Sequence, residues 1–176
     1  AAKNGVPIVL VPKRPSPTAD AVREQLSRLG INTLYVMGGE GAVAPSVVSS
    51  VSGGVSTVRY GGADRYETAA TLLSNQFADS TPAAYFASGQ NFPDALAGAA
   101  AAGAVGVPLT LSRPSCIPLQ IRDSVDAMDP SARVVLGGPG ILGANVEANE
   151  ACFLRVSPPS VSGKLSVGST LTAVAA

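Results

Sequence analysis

The stretch YFASGQNFPDALAGAAAAGAVGVPLTLS, residues 85–112, reads as a strand, a polar loop, a helix of small residues and a second strand. Tyr85-Phe86-Ala87 is a short apolar run that stops at the breaker pair Ser88-Gly89. Asn91-Phe92-Pro93-Asp94 then supplies a helix start. Asn91 or Phe92 takes the cap, Pro93 fits the first turn, and Asp94 sits at the positive end of the helix dipole. The helix behind it, residues 95–104, is almost wholly alanine and glycine, so it can approach a sheet without a large side chain between the backbones. The loop of Ser, Gln, Asn and Asp lies at the carboxyl end of a strand, where ligands bind in open α/β sheets.

Upstream, residues 5–11 form a continuous apolar run expected to be a strand covered on both faces. Thr18 is expected to cap a helix with Ala21, Val22, Leu26 and Leu29 at helical spacing, ended by Gly30. A buried strand over 33–37, the glycine turn Gly38-Gly39-Glu40-Gly41 and a short helix over 45–51 follow. The same order returns downstream: a strand at 106–111, a helix at 117–128, a strand at 133–136, the turn Gly137-Gly138-Pro139-Gly140 and a short helix at 141–151. Pro7 and Pro108 are 101 residues apart, as are Pro17 and Pro118, and Gly38 and Gly137 are 99 apart. The chain is therefore internally duplicated. Between the copies lie a strand at 56–60 and a helix opened by Asp64, with Glu67 completing a capping box. Strands alternating with helices imply parallel pairing and right-handed crossovers.

The expected organisation is part of one unit over residues 1–57 and a following unit over 58–156. After them, 157–176 form a linker and the truncated start of a β-sandwich, extended or poorly ordered on its own. A last strand is expected at 152–156. Residues 95–112 are too alanine-rich and too interrupted by glycine and proline to span a bilayer, which points to a soluble chain with no membrane partner.

Composition removes several chemistries. The 176 residues include no histidine, which excludes His-based zinc sites, triads and general bases within the chain. Twelve Lys and Arg balance twelve Asp and Glu, so no net field draws in nucleic acid, and no nucleic-acid partner is expected. No cofactor fingerprint is present: the glycine turns lack GxGxxG and carry no Lys-Ser/Thr, and GxSxG is absent. No catalytic residue, metal or cofactor is expected. The two cysteines, Cys116 and Cys152, leave two readings open. They are free core thiols, or a disulfide of a secreted protein closing a 36-residue loop (152 − 116), for about 4 kcal/mol in the chain-entropy model.

Candidate binding residues each carry a plainer alternative. The glycine turns can cradle an anion, but close turning from strand to helix explains their repetition better. Asp64 and Glu67 have capping-box spacing. Arg65 is not needed by the cap and opposes the dipole, so it makes either a specific ion pair or a contact to an anionic ligand. Asn91 and Asp94 can bind sugar hydroxyls and Phe92 can stack on a ring, against capping and core packing as the alternatives. Positive groups near strand ends, Arg14, Arg59, Arg65 and Arg113, are the candidates for anionic contacts.

Taken together, GGADRYETA (61–69), ASGQNFPDALAGAAAA (87–102), GVPLTLS (106–112) and VVLGGPGI (134–141) resemble the type 2 cell-wall-binding repeat of Gram-positive surface and secreted proteins, including S-layer-associated proteins. The resemblance covers about residues 5–156 and rests on DRYET together with the NFPDALA loop. It implies tandem Rossmann-like α/β units with mainly parallel sheets flanked by helices, usually three packed as a pseudo-trimer in cis or between chains. It also implies non-covalent attachment to an anionic or secondary cell-wall polysaccharide, hence an extracellular, wall-associated location. The shared positions are Asp64, Arg65, Tyr66, Glu67, Asn91, Phe92, Asp94 and Ala95, with Gly38, Gly39, Gly137 and Gly138. The tail is similar to the opening of immunoglobulin-like repeats of bacterial surface proteins. The expected function is wall anchoring by a binding module that is not an enzyme. The alternatives are a Rossmann-like sugar or nucleotide-sugar enzyme and a purely structural oligomerisation module.

Overall fold

Glycine and proline set most element ends. In the computed structural model, residues 2–77, 80–153, 160–162 and 172–174 are described. Helix α1 (Thr18–Arg28) stops before Gly30, whose φ of +60° no β-carbon favours. Strand β1 (Thr33–Met37) leads to α2 (Pro45–Ser52), with proline at its start and a left-handed Gly53 at its end, and then to β2 (Ser56–Tyr60). The following elements are α3 (Arg65–Gln76), β3 (Ala83–Ser88), α4 (Pro93–Val105), β4 (Leu109–Ser112), α5 (Leu119–Ala127), β5 (Ala132–Val135) and the single turn α6 (Ala144–Glu147).

The protein is α/β with parallel sheets flanked by helices. β1 and β2 pair in parallel from Thr33↔Ser56 to Met37↔Tyr60. A second parallel sheet has the order β4-β3-β5. The chain runs from central β3 outward to β4 and then crosses to the opposite edge at β5, so a switch point lies at the carboxyl end of β3. Helices α3 and α5 cover one face, burying Leu73, Phe86, Ile117, Ile121, Val125 and Leu142 in the main core. α4 lies on the other face. A β-carbon on its Gly98 would run into Leu136 and Leu109, so the small residue sets the helix-to-sheet distance. A smaller core under α1 and α2 holds Ala19, Val22, Leu26 and Val51.

The duplication recurs in backbone geometry. Gly38 and Gly137 adopt φ of +118° and +101°. Gly5 and Gly106, 101 residues apart, adopt +62° and +74°. Each of that second pair donates its N–H three residues back, Gly5 to Ala2 O at 3.1 Å and Gly106 to Gly103 O at 3.3 Å. The 3-10 turn Ala2–Asn4 thus occupies the repeat position of the last turn of α4.

Several expectations are corrected. Residues 6–12 form no strand, and Ile8 (75%) and Leu10 (87%) are exposed. Their repeat mates form β4 by pairing with β3, and no equivalent strand lies beside 6–12 among the described residues. Met37 is exposed as well, whereas its mate Leu136, 99 residues on, lies under α4. Pro17, not Thr18, occupies the α1 cap, with no side-chain hydrogen bond. The expected 141–151 helix shrinks to α6, and Asn149 beyond it turns left-handed at φ +59°. Cys152 and Phe153 are not in a strand, and 154–156 lie outside the described residues. Of the expected β-sandwich start, β6 (Ser160–Ser162) and β7 (Thr172–Val174) pair antiparallel; the rest also lies outside them. Cys116 and Cys152 are bonded as a disulfide. Among the described residues no helix is long and apolar enough to cross a membrane.

Candidate functional site

The first turn of α3 is held by its own acids. Asp64 is extended, and its Oδ1 accepts from the backbone N–H of Tyr66 at 2.8 Å and of Glu67 at 2.9 Å. Glu67 closes the cap one residue earlier than a standard box, its Oε2 accepting from Ala63 N at 2.8 Å. Gly62 is required beneath it, because a β-carbon there would lie 2.5 Å from Glu67 Cβ and 2.8 Å from its carbonyl carbon.

With that turn fixed, Arg65 and Tyr66 meet the carboxyl ends of β3 and β4. Ser88 and Ser112 are register partners, so Gly89 and Arg113 leave adjacent strands at one level, and Gly89 N donates to Ser112 O at 2.9 Å. The Arg65 guanidinium donates to the Gly89 carbonyl. Tyr66 packs on Gly89 so closely that a β-carbon there would sit 2.6 Å from its ring. The Arg113 guanidinium lies 5.5 Å from the Tyr66 ring centroid, a cation–π arrangement. Ser88 Oγ accepts from Gln90 N at 3.2 Å, and Ser112 Oγ donates to the Arg113 or Cys116 carbonyl at 3.0 or 3.1 Å. Together Arg65, Tyr66, Gly89, Gln90 and Arg113 line a cleft of ≈ 420 Å³.

No carboxylate lines this cleft. Among the described residues the ion pairs are Arg23–Asp20, Arg28–Glu24 and the Asp126 cluster with Arg122 and Arg133, so neither Arg65 nor Arg113 is neutralised by a close partner. Two guanidinium forks beside a tyrosine ring suit a carboxylate or phosphate.

The structure brings together only some of the residues singled out in the sequence. Arg65 and Arg113 share the cleft, and Asp64 braces it from behind. Asn91 follows Gln90 and is exposed; of the two cap candidates, Phe92 takes the α4 cap position, with no side-chain hydrogen bond. Phe92 is 71% exposed rather than packed in the core. Asp94 turns to the β5 loop, its Oδ2 standing 2.8 Å from where a Gly137 β-carbon would be. Arg59 is committed elsewhere, donating to Gly38 O at 2.6 Å and Val43 O at 3.0 Å, and so clasps the first glycine turn. Arg14 is exposed on a loop of the first unit, and its repeat mate is Ser115 (115 − 14 = 101), not Arg113. From the sequence, Gln90 falls in the strand-end loop where ligands bind without being singled out, and Tyr66 stands only among the positions shared with the repeat family. The signal available for Tyr66 was its place directly after an arginine the cap does not need.

Residues 59–147, just over half of the chain, match the family described as cell wall binding domain 2 (CWB2). The chain belongs to the CWB2 family. The matched span holds every residue lining the cleft. Over 139 residues, 78% of this chain, the CWB2 chain is 29% identical to the N-acetylmuramoyl-L-alanine amidase LytC of Bacillus subtilis (strain 168). It spans about a quarter (26%) of that relative's length. Among solved structures, Cwp8 from Clostridium difficile is similar at 25% identity and a TM-score of 0.56, over 66% of this chain and 19% of that one. Cwp6 from the same organism shares the fold with a TM-score of 0.69 at 21% identity, over 85% of this chain and 24% of that one. CWB2 is a cell-wall-binding domain, which agrees with the resemblance carried by the DRYET and NFPDALA motifs.

Proposed function

We propose that this chain anchors a surface or secreted protein non-covalently to an anionic or secondary cell-wall polysaccharide, outside the cell, and performs no catalysis itself. The observation that carries the reading is the pair of guanidiniums without carboxylate partners, Arg65 and Arg113, set around Tyr66 at the carboxyl ends of β3 and β4. Arg65 and Arg113 hold an acidic group of the polymer, Gln90 and Asn91 meet sugar hydroxyls, and Asp64 positions Arg65. Asp94 and Phe92 do not line the cleft. Arg59 serves the fold, and Arg14 lies on the first unit, outside the cleft.

The units run over residues 1–57 and 58–156, and residues 157–176 follow them. Each complete unit offers one weak polar and cationic site, and tandem copies raise avidity through effective concentration. The test is retention of Arg65→Ala and Arg113→Ala variants on purified Gram-positive cell walls, with folding checked by circular dichroism. Each variant is expected to lose about tenfold in affinity or more, as for one charge-assisted contact. Undiminished retention by both folded variants would remove the cleft from the account.

A further inference from the structure

The turn that follows β4 sets the place of Arg113. Ser112, the fully buried last residue of β4, holds it from within, its Oγ donating to the Arg113 or Cys116 carbonyl. The chain then reverses through Pro114 and Ser115, and Arg113 N donates to Cys116 O at 3.2 Å. From the far side Gly143 N donates to Pro114 O at 2.8 Å. Cys116 is bonded to Cys152, and beside that bond Ile117 bridges to Ala151. Arg113 therefore stands across a two-residue turn from a covalent tie.

The arginine side chain adds little to its own placement. Among the described residues its guanidinium has no ion pair, and it is exposed. Its cation–π contact with Tyr66, at 5.5 Å, is of a kind that is weak at exposed sites. Where it points thus depends on how its backbone is held. Bond and cation also occur together. At the 101-residue offset the mates of Arg113 and Cys116 are Pro12 (113 − 12 = 101) and Pro15 (116 − 15 = 101). The disulfide is no part of the repeated framework, and it stands in the unit that carries the cleft arginine.

From this we propose that Cys116 and Cys152 are positioning residues for the cleft. Their disulfide holds the 113–116 turn so that Arg113 stays over Tyr66, and the cleft's grip on an anionic group depends on the bond being intact. What the cleft grips rests on the anchoring reading; where Arg113 stands does not. Both cysteines are half-buried, so a thiol reductant reaches the bond. A dithiol supplies two electrons and two protons, leaving thiols at Cys116 and Cys152 and closing to its own cyclic disulfide. The turn then keeps its hydrogen bonds but loses the tie to Cys152, and Arg113 swings away from the ring.

Two readouts on the full chain, well below its melting temperature, test this. The first is NMR of the Arg113 side-chain protons, which the Tyr66 ring current shifts upfield in the oxidised protein. Under a dithiol reductant, and in Cys116→Ala/Cys152→Ala, that shift is expected to fall toward the ordinary arginine position. The second is retention on purified Gram-positive cell walls in a double-mutant cycle. Opening the bond is expected to weaken retention about three- to tenfold in the wild type, but less than about twofold in Arg113→Ala. A general loss of stability would lower both backgrounds alike, so equal losses would overturn the proposal, as would an Arg113 shift that ignores the reductant. If the oxidised wild type is not retained at all, the anchoring reading fails, and the positioning role stands or falls on the Arg113 shift.

Discussion

Removing the Cys116–Cys152 disulfide gives the sharpest stability prediction. The bond spans 36 residues of sequence and encloses α5, β5 and α6. It lies beside a backbone bridge in which Cys152 N donates to Ile117 O at 2.7 Å and Ile117 N donates to Glu150 O at 2.8 Å. Ile117 itself is fully buried in the main core. Opening the loop in the unfolded chain is worth about 4 kcal/mol in the loop-entropy model. For a chain of this size that translates to a fall in Tm of roughly 8–16 °C. The assay is thermal unfolding of the wild type with and without reductant, alongside the double variant Cys116→Ala/Cys152→Ala. The variant's melt is expected to match the reduced wild type and to ignore reductant. A fall of under about 2 °C would show that the backbone bridge alone holds this corner, and the loop-entropy argument would be refuted.

Other outcomes follow from single contacts. Asp64→Ala removes the acceptor for two N–H groups and is expected to cost about 1 kcal/mol by denaturant unfolding, with weaker wall retention because Arg65 loses its fixed turn. Gly62→Ala forces a methyl against Glu67 backbone and Cβ, and a loss of about 1–3 kcal/mol is expected in the same assay. Arg59→Met deletes two charge-assisted bonds to carbonyls of the first glycine turn. About 2 kcal/mol of stability should disappear while wall binding by the folded protein stays unchanged, which separates Arg59 from Arg65 and Arg113.

The sequence was most informative where local chemistry repeats. Gly38 with Gly137 and Gly5 with Gly106 mark turns that only a left-handed residue closes, so the duplication read from spacing returns as matched φ values. The small-residue helix likewise declared its close approach to the sheet, which Gly98 makes against Leu136 and Leu109. Non-local facts were hidden. An apolar run such as 6–11 has the composition of a strand, but a strand exists only beside a partner, and composition does not reveal whether one is there. The sequence left the exposure of Phe92 open, since an aromatic between a polar loop and a proline suits core packing as well as stacking on a ring. The cleft assembled only when three elements met: Arg65 and Tyr66 from α3, Gly89 and Gln90 after β3, and Arg113 after β4. Arg59 and Arg113 look alike in sequence, at or just beyond a strand's carboxyl end. One turns to its own backbone carbonyls and the other to an aromatic ring beside open space.

The most direct test of the anchoring claim is a pull-down of this chain on purified Gram-positive cell walls, before and after mild acid extraction of their secondary polymers. Retention is predicted on intact walls, declining as salt screens the two arginines and vanishing once the polymers are removed. Retention that is indifferent to both extraction and salt would contradict the account.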